Sequence, residues 1–353
     1  MISASRSHWG ILVVIGLLLV WSGCPGEVPE GGSGVNSGSI SGSGKTPHVG
    51  FVTNQIASFW TIAEIGANKA GEEFDAKVEV RMPDERSAAV QQRILEELLT
   101  IGVDGIAISP VDPENQLDIL KTVAENADLI TQDSDAPNSP RLCYVGMSNY
   151  DAGRMCGELV KEALPDGGKI MIFVGQIETN NARLRRQGLI DEVLGRSHDP
   201  NRAPDPAEAE LTEGNYTILG TRTDLGNASN AKAQAEDAIA RYPDLAAMVG
   251  LFAYNPPEIL GALKVAGKLG EIQVIGFDED DVTLQAIEDG HCYGTIVQNP
   301  YEYGYQSVRI LAALARGDKS VIPEDKFVDI PARKITKENV AEFWSELKEL
   351  TGK

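Results

Sequence analysis

Short β-branched apolar runs alternate with longer stretches of helical period along most of this chain. Residues 48–53 read as a strand, and residues 58–74 place Ala63, Ala67, Ala70 and Phe74 on one helical face. A strand over 77–81 follows, then a helix over 86–101 with Val90, Ile94, Leu98 and Ile101 on one stripe. Next come a strand over 105–109, a helix over 113–126 with Pro113 near its first turn, and short strands at 129–131 and 144–146. The pattern then starts again, with helices predicted over 149–163, 182–194, 229–242, 257–268, 282–289 and 303–316. Between them lie strands over 169–174, 216–221, 247–251, 273–277 and 293–297. Residues 198–213 are polar and proline-containing and read as a loop. Strands that alternate with helices predict right-handed crossovers and parallel sheets covered on both faces. The run is too long for one core, so the expected fold is α/β, with two doubly wound parallel-sheet lobes. Such sheets take ligands at the carboxyl ends of their strands.

The first 45 residues break the pattern. Residues 9–20 are almost wholly apolar, and Arg6 is the one firm positive charge before them. That run falls short of the ~20 residues of a spanning helix and fits the apolar region of a secretory signal. Ser22 and Gly23 directly before Cys24 resemble the lipobox of bacterial lipoproteins, whose cysteine is lipidated; Trp21 departs from it, where a smaller aliphatic residue is usual. The expectation is a signal peptide over 1–23, lipid attachment at Cys24, and a Gly/Ser-rich tether over 24–45 that behaves as a flexible coil. An ordinary cleaved signal or a short N-terminal anchor remain alternatives. Each of the three puts the rest of the chain outside the cytoplasm.

A net charge of -21 and a pI near 4.6, with no basic cluster, disfavour nucleic acid and anionic lipid as partners. Small neutral molecules and other proteins remain. Beyond Cys24 there are only Cys143, Cys156 and Cys292, without CxxC spacing, so neither a metal cage nor a disulfide framework is signalled. The alternatives there are a single Cys143–Cys156 bridge or small buried hydrophobes. His8, His48, His198 and His291 are scattered, and Gly175-Gln176 lacks the spacing of a phosphate loop. No metal or cofactor is expected.

The candidate chemistry sits at the strand ends. It comprises residues 54–60 (NQIASFW), 132–135 (QDSD), 181–188 (NARLRRQG), 252–255 (FAYN), 276–278 (GFD) and 296–298 (IVQ). In this order and spacing, over residues 47–330, they resemble the periplasmic sugar-binding proteins of the ribose/galactose type, which serve ABC importers. The resemblance implies the periplasmic binding protein-like I fold, with three hinge crossings near Asn149, Gln298 and residues 327–329. The implied lobes are 46–149 plus 299–327, and 150–298 plus 328–353. It also implies a ligand site in which Phe59 and Trp60 sandwich a sugar ring, with Asp133, Arg185, Asn255, Asp278 and Gln298 around its edge. Flat aromatic faces suit C–H surfaces, and planar polar groups suit hydroxyls. Two departures stand out: Ala57 where the ribose type uses an asparagine, and Ser134 where it uses an arginine beside the acid. Leu225 falls near the place of a third aromatic. Asn54, Gln55, Tyr254 or Glu178 are candidates to replace the lost contacts.

Each assignment has a plainer rival. Phe59 and Trp60 could pack a core, Asp133 could cap a turn, and Asn255 could cap a helix. Arg183 and Arg186 compete with Arg185, and Asp278 opens an acidic run suited to a helix N-terminus. The function implied is capture of a neutral pentose, hexose or polyol by a monomeric, lipid-anchored receptor and delivery to an ABC permease. Presentation to a sensor kinase or chemoreceptor is the alternative. A glycoside hydrolase using Asp133 and Asp278 lacks a nucleophile motif, so no enzyme is expected. A repressor of related fold would need a DNA-binding segment where the leader stands.

Overall fold

The computed structural model describes residues 45–352, so the expectations for the signal peptide, Cys24 and nearly all of the tether lie outside the described residues. The chain opens with β1 (His48–Val52), α1 (Ser58–Glu73), β2 (Lys77–Arg81), α2 (Ala88–Thr100), β3 (Gly105–Ile108), α3 (Leu117–Asn126), β4 (Asp128–Gln132) and β5 (Tyr144–Gly146). It crosses to α4 (Asn149–Ala163), β6 (Gly168–Val174), α5 (Asn180–Val193), β7 (Leu211–Glu213), β8 (Tyr216–Thr223), α6 (Ala228–Arg241), β9 (Leu245–Gly250), α7 (Asn255–Ala266), β10 (Gln273–Phe277), α8 (Asp281–Asp289) and β11 (Gly294–Val297). It returns for α9 (Pro300–Ala315) and β12 (Phe327–Asp329), then closes with β13 (Arg333–Thr336) and α10 (Val340–Thr351).

Two sheets result, ordered β12-β5-β4-β3-β1-β2 and β13-β11-β10-β9-β6-β8-β7. The first is parallel throughout, and the second is parallel except for its edge strands β7 and β13. This is the α/β arrangement of two doubly wound lobes that the alternation predicted. Strands covered on both faces need unbroken apolar runs, and β3, with all of its residues buried, shows this directly. In the first lobe Phe51, Ala63, Ile130 and Leu311 pack on one side of the sheet, and Leu95, Leu98, Ile106 and Leu120 on the other.

Several boundaries move. Val328 and Asp329 pair with Val145 and Gly146 of the first sheet, so the third crossing falls at residues 330–332, beyond the expected division at 327. The stretch expected to be wholly a loop ends in the short edge strand β7, held antiparallel to β8. Helix α3 starts four residues after Pro113, because the Asp112 carboxylate accepts from Asn115 N and Nδ2 and holds a turn there. Helix α2 starts at Ala88, after Ser87 in extended backbone, which leaves Arg86 in a loop.

Helices that touch closely do so through glycine. A Cβ on Gly153 of α4 would lie 2.1 Å from the Arg185 carbonyl oxygen of α5, and one on Gly188 would lie 2.0 Å from the Tyr150 carbonyl oxygen. Cys143, Cys156 and Cys292 are free and buried, as small hydrophobes. Among the described residues, no helix is long and apolar enough to cross a membrane, and no acidic, histidine or cysteine group could hold a metal ion.

Candidate functional site

The carboxyl ends of both sheets face one cavity of about 90 Å³. Phe59, Trp60, Asp133, Arg185, Asp278 and Gln298 all line it, joined by Asn54, Gln55, Arg86, Asn181, Phe252 and Tyr254. A larger groove of about 790 Å³ runs along the crossings, but of the expected residues only Gln298 reaches it.

Arg185 occupies the centre. Its helix α5 follows β6, and the side chain is 1% exposed. Nε donates to Asn149 Oδ1 at 2.8 Å, and Nη1 donates to the Leu251 carbonyl at 3.2 Å. The guanidinium lies 4.2 Å from the Phe277 ring centroid and 5.5 Å from that of Phe252. Such cation–π contact suits a group held out of water. Asp133 of the first sheet approaches to 3.8 Å and Asp278 of the second to 3.9 Å. Nη2 is buried without a hydrogen-bond partner. Of the three neighbouring arginines only this one enters the cavity. Arg186 is spent on Thr221 and on the Asp205 and Pro206 carbonyls.

Burial pushes the Asp133 carboxyl above its ordinary range, opposed by the Arg185 charge and by hydrogen bonds from Ser109 Oγ and Asn181. The Ser109 bond is 2.8 Å long, and Asn54 Nδ2 adds a longer contact of 3.4 Å. Burial likewise raises Asp278 to about 6, with the Asp133 charge adding to the rise and Arg185 and Gln298 opposing it. Gln298 Nε2 donates to Asp278 Oδ1 at 2.7 Å, and its Oε1 accepts from Tyr303 at 3.1 Å. The polar rim is therefore largely preset by the protein's own bonds.

The aromatic pair departs from expectation. Phe59 and Trp60 meet edge-on, with centroids 4.9 Å apart and planes at 87°, so they form one wall and cannot clamp opposite faces of a ring. The other lobe supplies Phe252, stacked on Tyr254 at 6.3 Å. Trp60 is also a core residue, 2% exposed, with Nε1 donating to Asn54 Oδ1. The plainer reading, core packing, therefore holds for Trp60, whose ring also lines the cavity.

Asn255 does not line the cavity. Its Oδ1 accepts from Phe252 N at 3.1 Å and its Nδ2 donates to Asp224 Oδ2 at 2.9 Å, so both ends are committed within the protein. Its place supports the cavity through its neighbours. Tyr254 also bonds Asp224, at 2.5 Å, and burial raises the carboxyl of that acid. Leu225 is 65% exposed at a φ of 59°, away from any aromatic role. Among the replacements considered, Asn54, Gln55 and Tyr254 line the cavity and Glu178 does not. Sequence reasoning gave no role to Arg86 or Ser109, and it marked 181–188 and 252–255 as candidate segments without singling out Asn181 or Phe252.

The arrangement presents aromatic faces from both lobes, acids from both sheets and a central guanidinium. Such a set suits a small ring with apolar faces and an edge of hydroxyls.

Comparison with known proteins agrees with this architecture. Residues 49–319 match the family model described as a periplasmic binding protein domain. The D-ribose/D-allose-binding protein of Pseudomonas aeruginosa is 25% identical over 305 residues, covering 82% of this chain and 89% of that protein. Among solved structures, a Burkholderia graminis ABC transporter solute-binding protein in complex with D-arabinose is similar at a TM-score of 0.75 and 24% identity, over 84% of this chain and 96% of that one. A chain of the XylFII-LytSN complex is similar at 0.73 and 22%, over 83% and 99%.

Proposed function

We propose, from the premise that this chain belongs to the periplasmic binding protein family, that it is an extracytoplasmic receptor which closes two lobes on a neutral monosaccharide and delivers it to an ABC-type importer. One observation carries the reading: acids and aromatic rings from both lobes line a single cavity around Arg185. In this reading Phe59 and Trp60 cover one side of a pentose, hexose or polyol, and Phe252 covers another. Asp133 and Asp278 accept from adjacent hydroxyls, and Arg185 and Gln298 donate. Asn255 positions Phe252 and Asp224 without touching the sugar. A ligand that bridges both lobes favours the closed state, because only differential affinity shifts such an equilibrium. The site binds and does not cleave.

Cys24 carries the lipid anchor in this proposal, and the Gly/Ser segment after it is the tether. The relative named for D-ribose and D-allose supports the choice of sugar class, and a solved structure of similar fold is in complex with D-arabinose. A second reading, presentation of the closed form to a sensor protein, draws on the structural likeness to a chain solved in the XylFII-LytSN complex.

The test is a thermal-shift screen against D-ribose, D-allose, D-arabinose, D-xylose and D-fructose. A ligand at a hundred times its Kd adds about 2.7 kcal/mol to stability. At least one sugar is expected to raise the melting temperature, with no turnover of aryl glycosides. A flat response to every sugar overturns the reading. Replacing Cys24 by Ala is expected to move the protein from the membrane fraction to the soluble one.

A further inference from the structure

Arg86 stands in the loop between β2 and α2, at the carboxyl end of its strand, and its guanidinium is shared between the lobes. Nε donates to Gln176 Oε1 of the second lobe at 3.1 Å. Nη1 reaches Asn54 Oδ1 at 3.5 Å and Gln55 Oε1 at 3.4 Å in the first. The cation lies 5.9 Å from the Phe252 ring centroid, and a Cβ on Gly226 of the second lobe would come within 3.3 Å of Arg86 Cδ. Arg86 lines the same cavity as Arg185, and its Nη2 is buried without a hydrogen-bond partner. A buried donor left unmet costs its desolvation, so the position favours an occupant that supplies an acceptor.

The Asp133 and Asp224 carboxylates favour the charged form of Arg86 against its burial.

We propose that Arg86 both contacts the ligand and latches the cleft: Nη2 donates to an acceptor oxygen of the bound sugar, while the bond from Nε to Gln176 fastens one lobe to the other. This rests on the sugar-binding reading for its first half only. With Arg185 Nη2 also unmet, the ligand must offer acceptor oxygens to two guanidinium groups. Arg86 therefore helps set which sugars fit, and the Gln176 bond acts on how long they stay.

The full-length protein is tested as wild type, Arg86→Met, Arg86→Lys and Gln176→Ala, by calorimetry and stopped-flow release with D-ribose, D-allose and D-arabinose. Loss of a charged hydrogen bond is expected to weaken binding about 10- to 100-fold in Arg86→Met and to change the ranking of the three sugars. Arg86→Lys keeps the charge without the planar fork and is expected to recover part of the affinity. Gln176→Ala is expected to speed release with the ranking unchanged. Unaltered affinity and ranking in Arg86→Met overturn the contact. Should the wild type bind neither these three nor D-xylose or D-fructose, the sugar reading and the contact fall together, and the latch is judged separately by small-angle scattering of the ligand-free proteins. There a larger radius of gyration in both Arg86→Met and Gln176→Ala supports the latch, and identical profiles overturn it.

Discussion

Asp133 and Asp278 hold the same pose in the two lobes. Each ends its strand in left-handed backbone, at φ of 59° and 64°. Their N–H groups donate to Val145 O at 3.1 Å and Ile296 O at 2.7 Å, and their carbonyls each accept a hydroxyl at 2.8 Å, from Tyr144 and Thr295. Aspartate tolerates this backbone better than most residues, and the surrounding bonds over-determine it. The two carboxylates are thereby aimed at one guanidinium from opposite sheets.

This pose gives a pH signature. The Asp278 carboxyl is raised from 3.8 to about 6 by burial, so the folded protein holds its proton more tightly than the unfolded chain. The resulting stability is fully present below about pH 4 and is lost as pH rises through about 6. Sugar hydroxyls donate best to the ionised form, so affinity should rise over the same range in which ligand-free stability falls. Melting curves and calorimetry between pH 4 and 8, on wild type and Asp278→Asn, check both trends. Parallel profiles for the two proteins would remove Asp278 as their source.

Trp60 separates packing from binding. Trp60→Ala opens a core site beside Phe59 and Phe51 and should cost about 3–5 kcal/mol in stability. Trp60→Phe removes mainly the bond to Asn54 and should cost about 1 kcal/mol. Urea unfolding compares them. An alanine variant as stable as wild type would contradict the buried placement.

Asn255 is expected to act on stability before affinity. Asn255→Ala strands the Phe252 N–H and one Asp224 oxygen, at about 1–3 kcal/mol. Asn255→Asp keeps the acceptor for Phe252 but sets a carboxylate against Asp224, and should cost more. A large affinity loss at unchanged stability would instead make Asn255 a direct ligand contact.

Gly153 tests how helix packing positions Arg185. Gly153→Ala places a methyl against the Arg185 carbonyl, so α4 and α5 must part, at about 1–3 kcal/mol and with weaker sugar binding. Gly261, on α7, is the control: a Cβ there meets nothing within 4 Å, so Gly261→Ala should stabilise by about 0.5–1 kcal/mol. Equal effects of the two changes on binding would deny the packing argument.

The alternation of apolar runs with helical stripes was enough to predict two doubly wound sheets, because a parallel strand buried on both faces and a helix buried on one leave unmistakable periods in sequence. It also marked the strand ends, and the acids there carried the strongest signal. Period says nothing about which side chain of a loop turns inward, since that depends on the local backbone and on what the opposite lobe presents. Residues 252–255 could be read as a candidate segment, yet only the folded loop decided that Phe252 and Tyr254 face the cavity while Asn255 ties the loop together. Arg86 was hidden because its helix begins two residues later than the period suggests. The chain's covalent order thus determined the sheets and the places where chemistry could sit. The family resemblance had already set Asp133, Arg185 and Asp278 around one ligand; that Arg86 joins them was decided by tertiary structure, because contacts between two lobes built from separate stretches of chain leave no periodic trace in either.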